Sequence, residues 1–176
     1  MTISNQKDPS EKEIKFILEL FNSKKFNDVK KEIYRKITKY SYSSILFNIL
    51  GAVLAEQNKL YEAIENYKKS ININPKYAQA YNNLGTALHK LGKISDAIEK
   101  YEKAISLKED FPESLNNLGS AINDLKKSKE AIYYLEKALK LKPDYTEAYN
   151  NLARAFENSG DKTKAIENFQ KAIKIN

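Results

Sequence analysis

The sequence predicts an all-α protein, a solenoid built from antiparallel helix pairs. The tetrapeptide Asn82-Asn83-Leu84-Gly85 returns 34 residues later, and again after another 34 residues with Ala in place of Gly. Self-similarity at a fixed period of this size is typical of repeat architectures. Apolar residues within each period follow the 3.6-residue spacing of amphipathic helices. Turn residues separate these apolar segments, so each period holds two helices.

The period extends well beyond the tetrapeptide. We number each unit from position 1, with units starting at Ser44, Ala78, Pro112 and Thr146. Positions 4, 7, 8 and 11 share one face of a first helix, helix A, and positions 20, 24, 27 and 28 share one face of a second, helix B. Position 20 is Ala in all four units, and position 8 is Gly in three of them. Gly inside a helix costs about 1 kcal/mol relative to Ala, so its retention indicates a close approach of helix B, where position 20 is small.

These offsets closely resemble the tetratricopeptide repeat. The residues that carry the resemblance are an aromatic or Leu at position 4, Leu-Gly at 7 and 8, Ala at 20, an aromatic or Leu at 24, Ala at 27 and Pro at 32. The resemblance covers residues 44–176. It implies a right-handed superhelix in which helix A lines a concave groove.

The elements follow from this register. We expect helix A near 44–57, 78–91, 112–125 and 146–158, and helix B near 60–73, 94–107, 128–141 and 162–175. Gly92 and Gly160 suit the left-handed conformation that ends a helix. We expect hydroxyl side chains to cap helix B in three units, at Ser95, Ser128 and Thr163.

The chain before residue 44 holds a more divergent unit. Residues 1–9 form a polar lead that we expect to be disordered. Ser10 and Glu13 have the spacing of a capping box, which predicts a helix to about residue 21 and a second one over about 26–40. This unit lacks the Leu-Gly pair, so we interpret it as a divergent repeat that caps the solenoid. The predicted boundaries are therefore 1–9, 10–43, 44–77, 78–111, 112–145 and 146–176.

The last helix B raises a question about its outer face. Nothing in the sequence after it covers Ile166, Phe169, Ile173 and Ile175. Solenoid ends normally need a polar cap. Three interpretations follow: a piece of a longer protein, which we favour, pairing with another copy as a homo-oligomer, or a tolerated exposed face.

Composition narrows the function classes. The net charge of +7 arises mostly from Lys interleaved with Glu, which is typical of a solvated surface. Only Arg35 and Arg154 could grip phosphate bidentately, so nucleic-acid binding is an unfavoured interpretation. The chain has no Cys, which excludes disulfides and thiolate zinc sites. We find no membrane-spanning run, signal peptide or metal-ligand spacing, so we expect a cytoplasmic protein without a cofactor.

The resemblance places helix A positions 2, 5, 6, 9, 12 and 13 in the groove, which makes it rich in carboxamides. A carboxamide offers donors and an acceptor together, so a series of Asn can hold an extended peptide backbone. Position 6 is similar to the Asn ladder of O-linked N-acetylglucosamine transferases. The alternative is that these Asn satisfy neighbouring helix groups. The candidate peptide-binding residues are Asn82, Asn83, Thr86, Asn116, Asn117, Ser120, Asn150, Asn151 and Arg154.

Other binding modes of such repeats can be compared with this sequence residue by residue. Of the carboxylate-clamp positions found in chaperone-binding repeats, only Asn83 matches, so a clamp is not expected. His89 is the only His; it could be a pH-sensitive contact or an ordinary solvated residue. The carboxylates of the C-terminal groove could attract a basic peptide but form no evident acid/base pair. They are Glu113, Asp124, Glu147 and Glu157.

The sequence therefore predicts a non-catalytic protein-interaction scaffold that binds an extended peptide or helix of a partner in its groove. The alternative is the N-terminal, substrate-recruiting region of a larger glycosyltransferase- or sulfotransferase-type enzyme. A reading frame that continues past Asn176 into a catalytic domain would decide for the alternative. The partner and the pathway are not encoded in any motif.

Overall fold

A computed structural model describes residues 8–175, and within that range the only regular secondary structure is ten α-helices. They are α1 (Glu11–Asn22), α2 (Phe26–Ile37), α3 (Ser44–Glu56), α4 (Leu60–Ile73), α5 (Ala78–Lys90), α6 (Ile94–Leu107), α7 (Pro112–Asp124), α8 (Ser128–Leu141), α9 (Thr146–Ser159) and α10 (Lys162–Ile175). The predicted helices of residues 44–175 are confirmed, with ends within two residues of the expected ones.

The chain divides into two compact units, one up to Ala87 and one from Leu88 onward. In the first unit α1 packs on α2, α2 on α3 and α3 on α4. Its buried core is mostly aliphatic, with the rings of Tyr40 and Tyr67 also buried. Core residues with no exposed surface include Ile17, Val29, Ile33, Leu46, Val53 and Ala63.

The second unit repeats this sequential pairing. Helix α6 packs on α7, α7 on α8, α8 on α9 and α9 on α10, and α7 also contacts α9 directly. The invariant Ala of position 20 is buried in α6, α8 and α10, and the residue at position 24 is buried in α6 and α8. These positions are the face that the helical period predicted for helix B. Because helices that are adjacent in the chain pack on one another, the predicted all-α array of helix pairs is confirmed.

The capping box at the start of α1 is confirmed. The Ser10 hydroxyl accepts from the Glu13 backbone N–H, and the Glu13 carboxylate accepts from the Ser10 backbone N–H at 2.9 Å. Just before it, Pro9 is buried, and the Ser43 hydroxyl donates to Asp8 Oδ1 at 2.6 Å. The rest of the predicted disordered lead, residues 1–7, lies outside the described residues.

Helix α2 ends three residues earlier than the predicted residue 40. Its C-terminal cap is Thr38, and Tyr40 has left the helix. The ring of Tyr40 is buried, and its hydroxyl lies 3.4 Å from Glu13 Oε2. Packing of this aromatic side chain against α1 therefore ends the helix, which a local apolar pattern does not reveal.

The hydroxyl capping predicted for helix B is wrong. Ser95 and Ser128 lie inside α6 and α8, whose cap residues are lysines without a capping side chain. Ser128 instead donates to Asn123 Oδ1 at 3.1 Å. Thr163 likewise lies inside α10, where Asp161 Oδ1 accepts from the Lys164 backbone N–H. These helices begin where the sequence predicted, at Ile94, Ser128 and Lys162, so the three hydroxyls lie within the first turn rather than at the capping position.

Helix B approaches the glycine at position 8 of helix A closely, as the sequence predicted. The side chain at position 24 is its nearest neighbour, and the Ala at position 20 contributes a backbone contact in one repeat. A Cβ built on Gly51 would lie 2.6 Å from the Tyr67 ring, and one on Gly119 would lie 2.6 Å from Leu135 Cγ. The Ala131 carbonyl oxygen is 3.1 Å from the same Gly119 position. Glycine is thus needed where a large buried side chain of helix B crosses helix A.

Candidate functional site

The Asn residues of helix A are joined by hydrogen bonds between successive repeats. In the first unit Asn83 Nδ2 donates to Asn48 Oδ1 at 3.0 Å. In the second unit Asn151 Nδ2 donates to Asn116 Oδ1 at 2.9 Å. In both pairs the donor is position 6 of one repeat and the acceptor is position 5 of the repeat before it. We call these two bonds the Asn ladder.

The two positions of the ladder differ in exposure. Asn48, Asn82 and Asn116 at position 5 are buried, with Asn116 completely so. Asn83 and Asn151 at position 6 are half-buried. The carboxamides of Asn48 and Asn116 therefore serve as internal acceptors, whereas those of Asn83 and Asn151 remain in reach of solvent.

The remaining candidate residues lie at varied depths. Asn117, Thr86 and Ser120 are half-buried, and Asn150 is exposed. The Thr86 hydroxyl donates to the Asn82 carbonyl oxygen at 3.1 Å. Arg154 has a side chain that is 56% exposed. Accessible polar groups are thus present at positions 6 and 9.

A tyrosine directly before helix A completes the environment of the buried Asn. Asn48 Nδ2 donates to the Tyr77 hydroxyl and Asn116 Nδ2 to the Tyr145 hydroxyl, both at 3.5 Å. Burial is the main cause that raises the pKa of both tyrosines, and Glu147 and Glu113 raise that of Tyr145 further. Each phenol therefore stays neutral over the physiological range.

The repeat pattern predicted no role for these tyrosines. The signal that could have found them is the aromatic residue at position 34, which is Tyr77, Phe111 and Tyr145 in successive units. A hydroxyl beside a buried carboxamide matters because an unsatisfied buried amide costs about 1–3 kcal/mol. Tyr77 and Tyr145 thus belong to the ladder's support, whereas Phe111 at the same position has no hydroxyl to contribute.

Charged side chains surround the second unit's helix A faces. His89 on α5 and Asp124 on α7 form a close pair, with Arg154 on α9 near the same carboxylate. Glu147 Oε1 accepts from Asn116 Nδ2 at 3.3 Å, which ties one carboxylate to the ladder. Glu113 is half-buried, and Glu157 is exposed.

Two absences hold for residues 8–175. No group of three or more His, Cys, Asp or Glu side chains could hold a metal ion there. Over the same stretch, no helix is both long enough and apolar enough to traverse a lipid bilayer.

Solved structures share the fold. MamA superposes with a TM-score of 0.75 at 23% identity, covering 89% of this chain and 92% of that one. Pseudomonas aeruginosa PilF gives a TM-score of 0.85 at 18% identity, covering 94% and 76%. YrrB, described as a TPR protein with an unusual peptide-binding site, gives 0.70 at 20% identity, covering 98% and 88%. No curated protein sequence matches the chain.

Family models match most of the sequence. The model described as TPR repeat matches residues 51–92 and 85–125, and the model described as tetratricopeptide repeat matches residues 110–176. These ranges include the Asn ladder donors and the glycine contacts between helices A and B. The chain therefore belongs to the tetratricopeptide repeat family.

Proposed function

We propose that the chain is a non-catalytic protein-interaction scaffold whose helix A faces bind an extended segment of a partner. The observation that carries this proposal is the Asn ladder. It fixes two half-buried carboxamides, those of Asn83 and Asn151, through acceptors that are buried in the preceding repeat.

Fixing a carboxamide in this way prepares it for a peptide backbone. The side chain of Asn carries two N–H donors and an oxygen with two acceptor sites. One N–H is used within the ladder, and this bond holds the plane of the amide in place. In Asn83 the oxygen also accepts from Gln79 Nε2 at 3.0 Å and Asn82 Nδ2 at 3.5 Å, which fixes this carboxamide further. Because less side-chain freedom is lost on binding, a preorganised group contributes more affinity than a free one.

The expected selectivity follows from the kind of contact. Backbone hydrogen bonds do not distinguish side chains, and each contributes only about 0.5–1.5 kcal/mol. Several carboxamides must therefore act together. We expect broad sequence tolerance and modest affinity, with specificity arising from the residues at position 9. YrrB, which has a comparable array of helices, supports the proposal because its description names a peptide-binding site.

The test is a pull-down from lysate with the wild type beside the triple variant Asn83→Ala/Asn117→Ala/Asn151→Ala. We expect the partners of the wild type to be lost in the triple variant. The matched control is Asn27→Ala/Asn72→Ala, which removes exposed Asn from α2 and α4 and should retain every partner.

Loss of the ladder donors also leaves buried acceptors unsatisfied, so folding is checked by circular dichroism. A second variant, Ser120→Arg, adds bulk at a half-buried position of α7 without removing a ladder bond. Partners that are retained by both the triple variant and Ser120→Arg would contradict binding at the helix A faces.

A further inference from the structure

The outer face of α10 has the residues of an internal repeat without the helix that covers them. Position 21 is Ile in all four units, and position 28 is Ile or Leu. On α8 these residues, Ile132 and Leu139, are half-buried. On α10 the same positions hold Ile166 and Ile173, which are 58% and 75% exposed. We call Ile166 and Ile173 the α10 face.

The helix that covers α8 shows what such a face contacts. Helix α9 packs on α8, and Leu139 lies in one cluster with Ala148 and Tyr145 of the next repeat. Ala148 and Ala155, at positions 3 and 10 of α9, have no exposed surface. Because these two positions are seven residues apart, they share one face of the helix. The aliphatic residues of α8 therefore pack against a helix whose facing residues are small.

The size of the covering residues follows the residue at position 21. Helix α6 also has Ile there, and the helix that packs on it, α7, carries the fully buried Ser114 and Ala121 at positions 3 and 10. In the divergent first repeat, position 21 is Lys30, whose ammonium donates to a side chain beyond α3. Its covering helix α3 has the larger Leu46 and Val53, both fully buried. Since protein interiors are close-packed, Ile166 calls for a covering helix with small residues.

A second copy of the chain does not offer such a helix. Among the described residues, α5, α7 and α9 have small residues at positions 3 and 10, and all of these are already buried. At the same positions α1 has Lys12 and Glu19, which are exposed and charged. Two copies would therefore bring together two bulky α10 faces, which lack the matching small residues, so self-association requires high concentration.

We propose that the α10 face is a docking site for an amphipathic helix of another protein. This helix carries Ala or Ser at two positions seven residues apart and Leu at the position four residues after the first. The Leu is included because position 7 is a buried Leu in each of the helices with this pattern, at Leu84, Leu118 and Leu152. Anchors at such spacing are typical of helices that bind in an apolar groove. The site is separate from the helix A faces, so its partner differs from the extended segment proposed above.

The test uses the helix that covers α8 as a free peptide. A fluorescently labelled peptide with residues 144–160 of this chain contains the whole covering face of α9. Because an isolated helix of this length is marginal in water, a lactam bridge joins Asn150→Lys to Arg154→Asp, at two residues that are exposed in α9. The matched control peptide has the same bridge and the further changes Ala148→Lys and Ala155→Lys.

Fluorescence anisotropy measures binding of each peptide to the full chain. We expect the wild type to bind the control peptide about tenfold or more weakly than the bridged peptide, since the control cannot bury the same apolar surface. Ile166→Lys/Ile173→Lys in the chain should weaken binding of the bridged peptide by a similar factor. Tyr61→Lys, at an exposed residue of α4, and Ser120→Arg on α7 should bind it as the wild type does.

The outcomes distinguish this site from the helix A faces and from self-association. Binding of the bridged peptide that is lost in Ile166→Lys/Ile173→Lys and kept in Ser120→Arg would establish the site, whether or not the lysate partners of the proposed function are found. Equal binding of the two peptides, no binding of the bridged peptide, or weaker binding in Ser120→Arg would overturn it. So would a dimer in sedimentation equilibrium that excess bridged peptide does not dissociate, since a second copy would then occupy the face.

Discussion

Between the two helices of every repeat, one residue has a left-handed backbone conformation. Its φ is 56° at Lys24, 59° at Asn58, 75° at Gly92, 63° at Lys126 and 90° at Gly160. These residues are spaced 34 apart, so the turn is the same in every unit although its residue type changes. A side chain with a Cβ costs about 1–2 kcal/mol in this conformation, and two of the units carry a Lys there.

We therefore expect Lys126→Gly to stabilise the protein by about 0.5–1 kcal/mol. The left-handed conformation costs Lys about 1–2 kcal/mol, and Gly gives back part of this through its greater freedom in the unfolded chain, about 0.5–1 kcal/mol. The measurement is the free energy of unfolding in urea. The control is Lys127→Gly, at a residue whose φ is −91°; it should not stabilise.

The reverse change should act in the opposite direction. Gly92→Ala places a Cβ at a φ of 75° and, by the same balance, should lower the free energy of unfolding by about 0.5–1 kcal/mol. No atom lies within 4 Å of that Cβ position, so the loss would arise from the backbone alone. An unchanged urea midpoint in both Lys126→Gly and Gly92→Ala would show that the turn carries no strain.

At the scale of the elements, the ion pair between α1 and α2 makes the stability of the first repeat depend on pH. Lys36 Nζ lies 2.5 Å from Glu13 Oε1, and the Lys36 side chain is only 8% exposed. This hydrogen bond, with those from Ser10, lowers the pKa of Glu13 from 4.5 to about 2. A carboxyl whose pKa is lowered by folding stabilises the native state above its unfolded pKa, and this stabilisation is lost as the pH falls through the folded pKa.

Glu13→Gln should therefore remove part of the pH dependence of stability. The wild type should lose stability between about pH 4.5 and pH 2, and the variant should lose less over this range while being less stable at pH 7. The check is the urea midpoint as a function of pH. Glu11→Gln, at an exposed residue of the same helix, is the control. Parallel curves for wild type and Glu13→Gln would contradict the role of the pair.

The helices show what a sequence pattern specifies well. The 34-residue period predicted helices A and B because buried positions recur with helical spacing. Gly160 predicted a helix end because glycine readily adopts the left-handed conformation, and its φ is 90°. The predicted hydroxyl caps of helix B were wrong because these side chains lie inside the helices, where Ser128 donates across the turn to Asn123 instead. The tyrosines that support the ladder were not predicted because the Tyr145 hydroxyl accepts from Asn116, 29 residues away in the sequence. A pattern within one helix does not indicate such a contact.

At the scale of the whole molecule, the last helix leaves apolar side chains in solvent. Ile166 is 58% exposed, Ile173 75% and Ile175 39%, as the sequence predicted, whereas Phe169, which was also expected to be uncovered, is half-buried. The residue equivalent to Ile173 in α8 is Leu139, which packs in a cluster that includes Ala148 and Tyr145 of the next repeat. Helix α10 therefore carries the face of an internal repeat, and such a patch favours association.

We expect the chain to self-associate through this face at high concentration. Ile166→Lys/Ile173→Lys should lower the weight-average mass in sedimentation equilibrium without changing the free energy of unfolding by more than about 0.5 kcal/mol, since both residues are exposed. Tyr61→Lys, at an exposed residue of α4 (72%), is the control. A mass that is the same in all three proteins would place any association elsewhere.

The sequence by itself determined the period, the helix pairs and the faces that are buried, because these depend on the spacing of side chains along one helix. It also determined which helix would present carboxamides. Only the tertiary structure decided that Asn116 is an internal acceptor whereas Asn151 remains half-exposed. It also joined His89 to Asp124 across two helices. The physical reason is that hydrogen bonds between repeats depend on how adjacent helices are offset, and this offset is set by side-chain packing, such as that of Leu135 against Gly119.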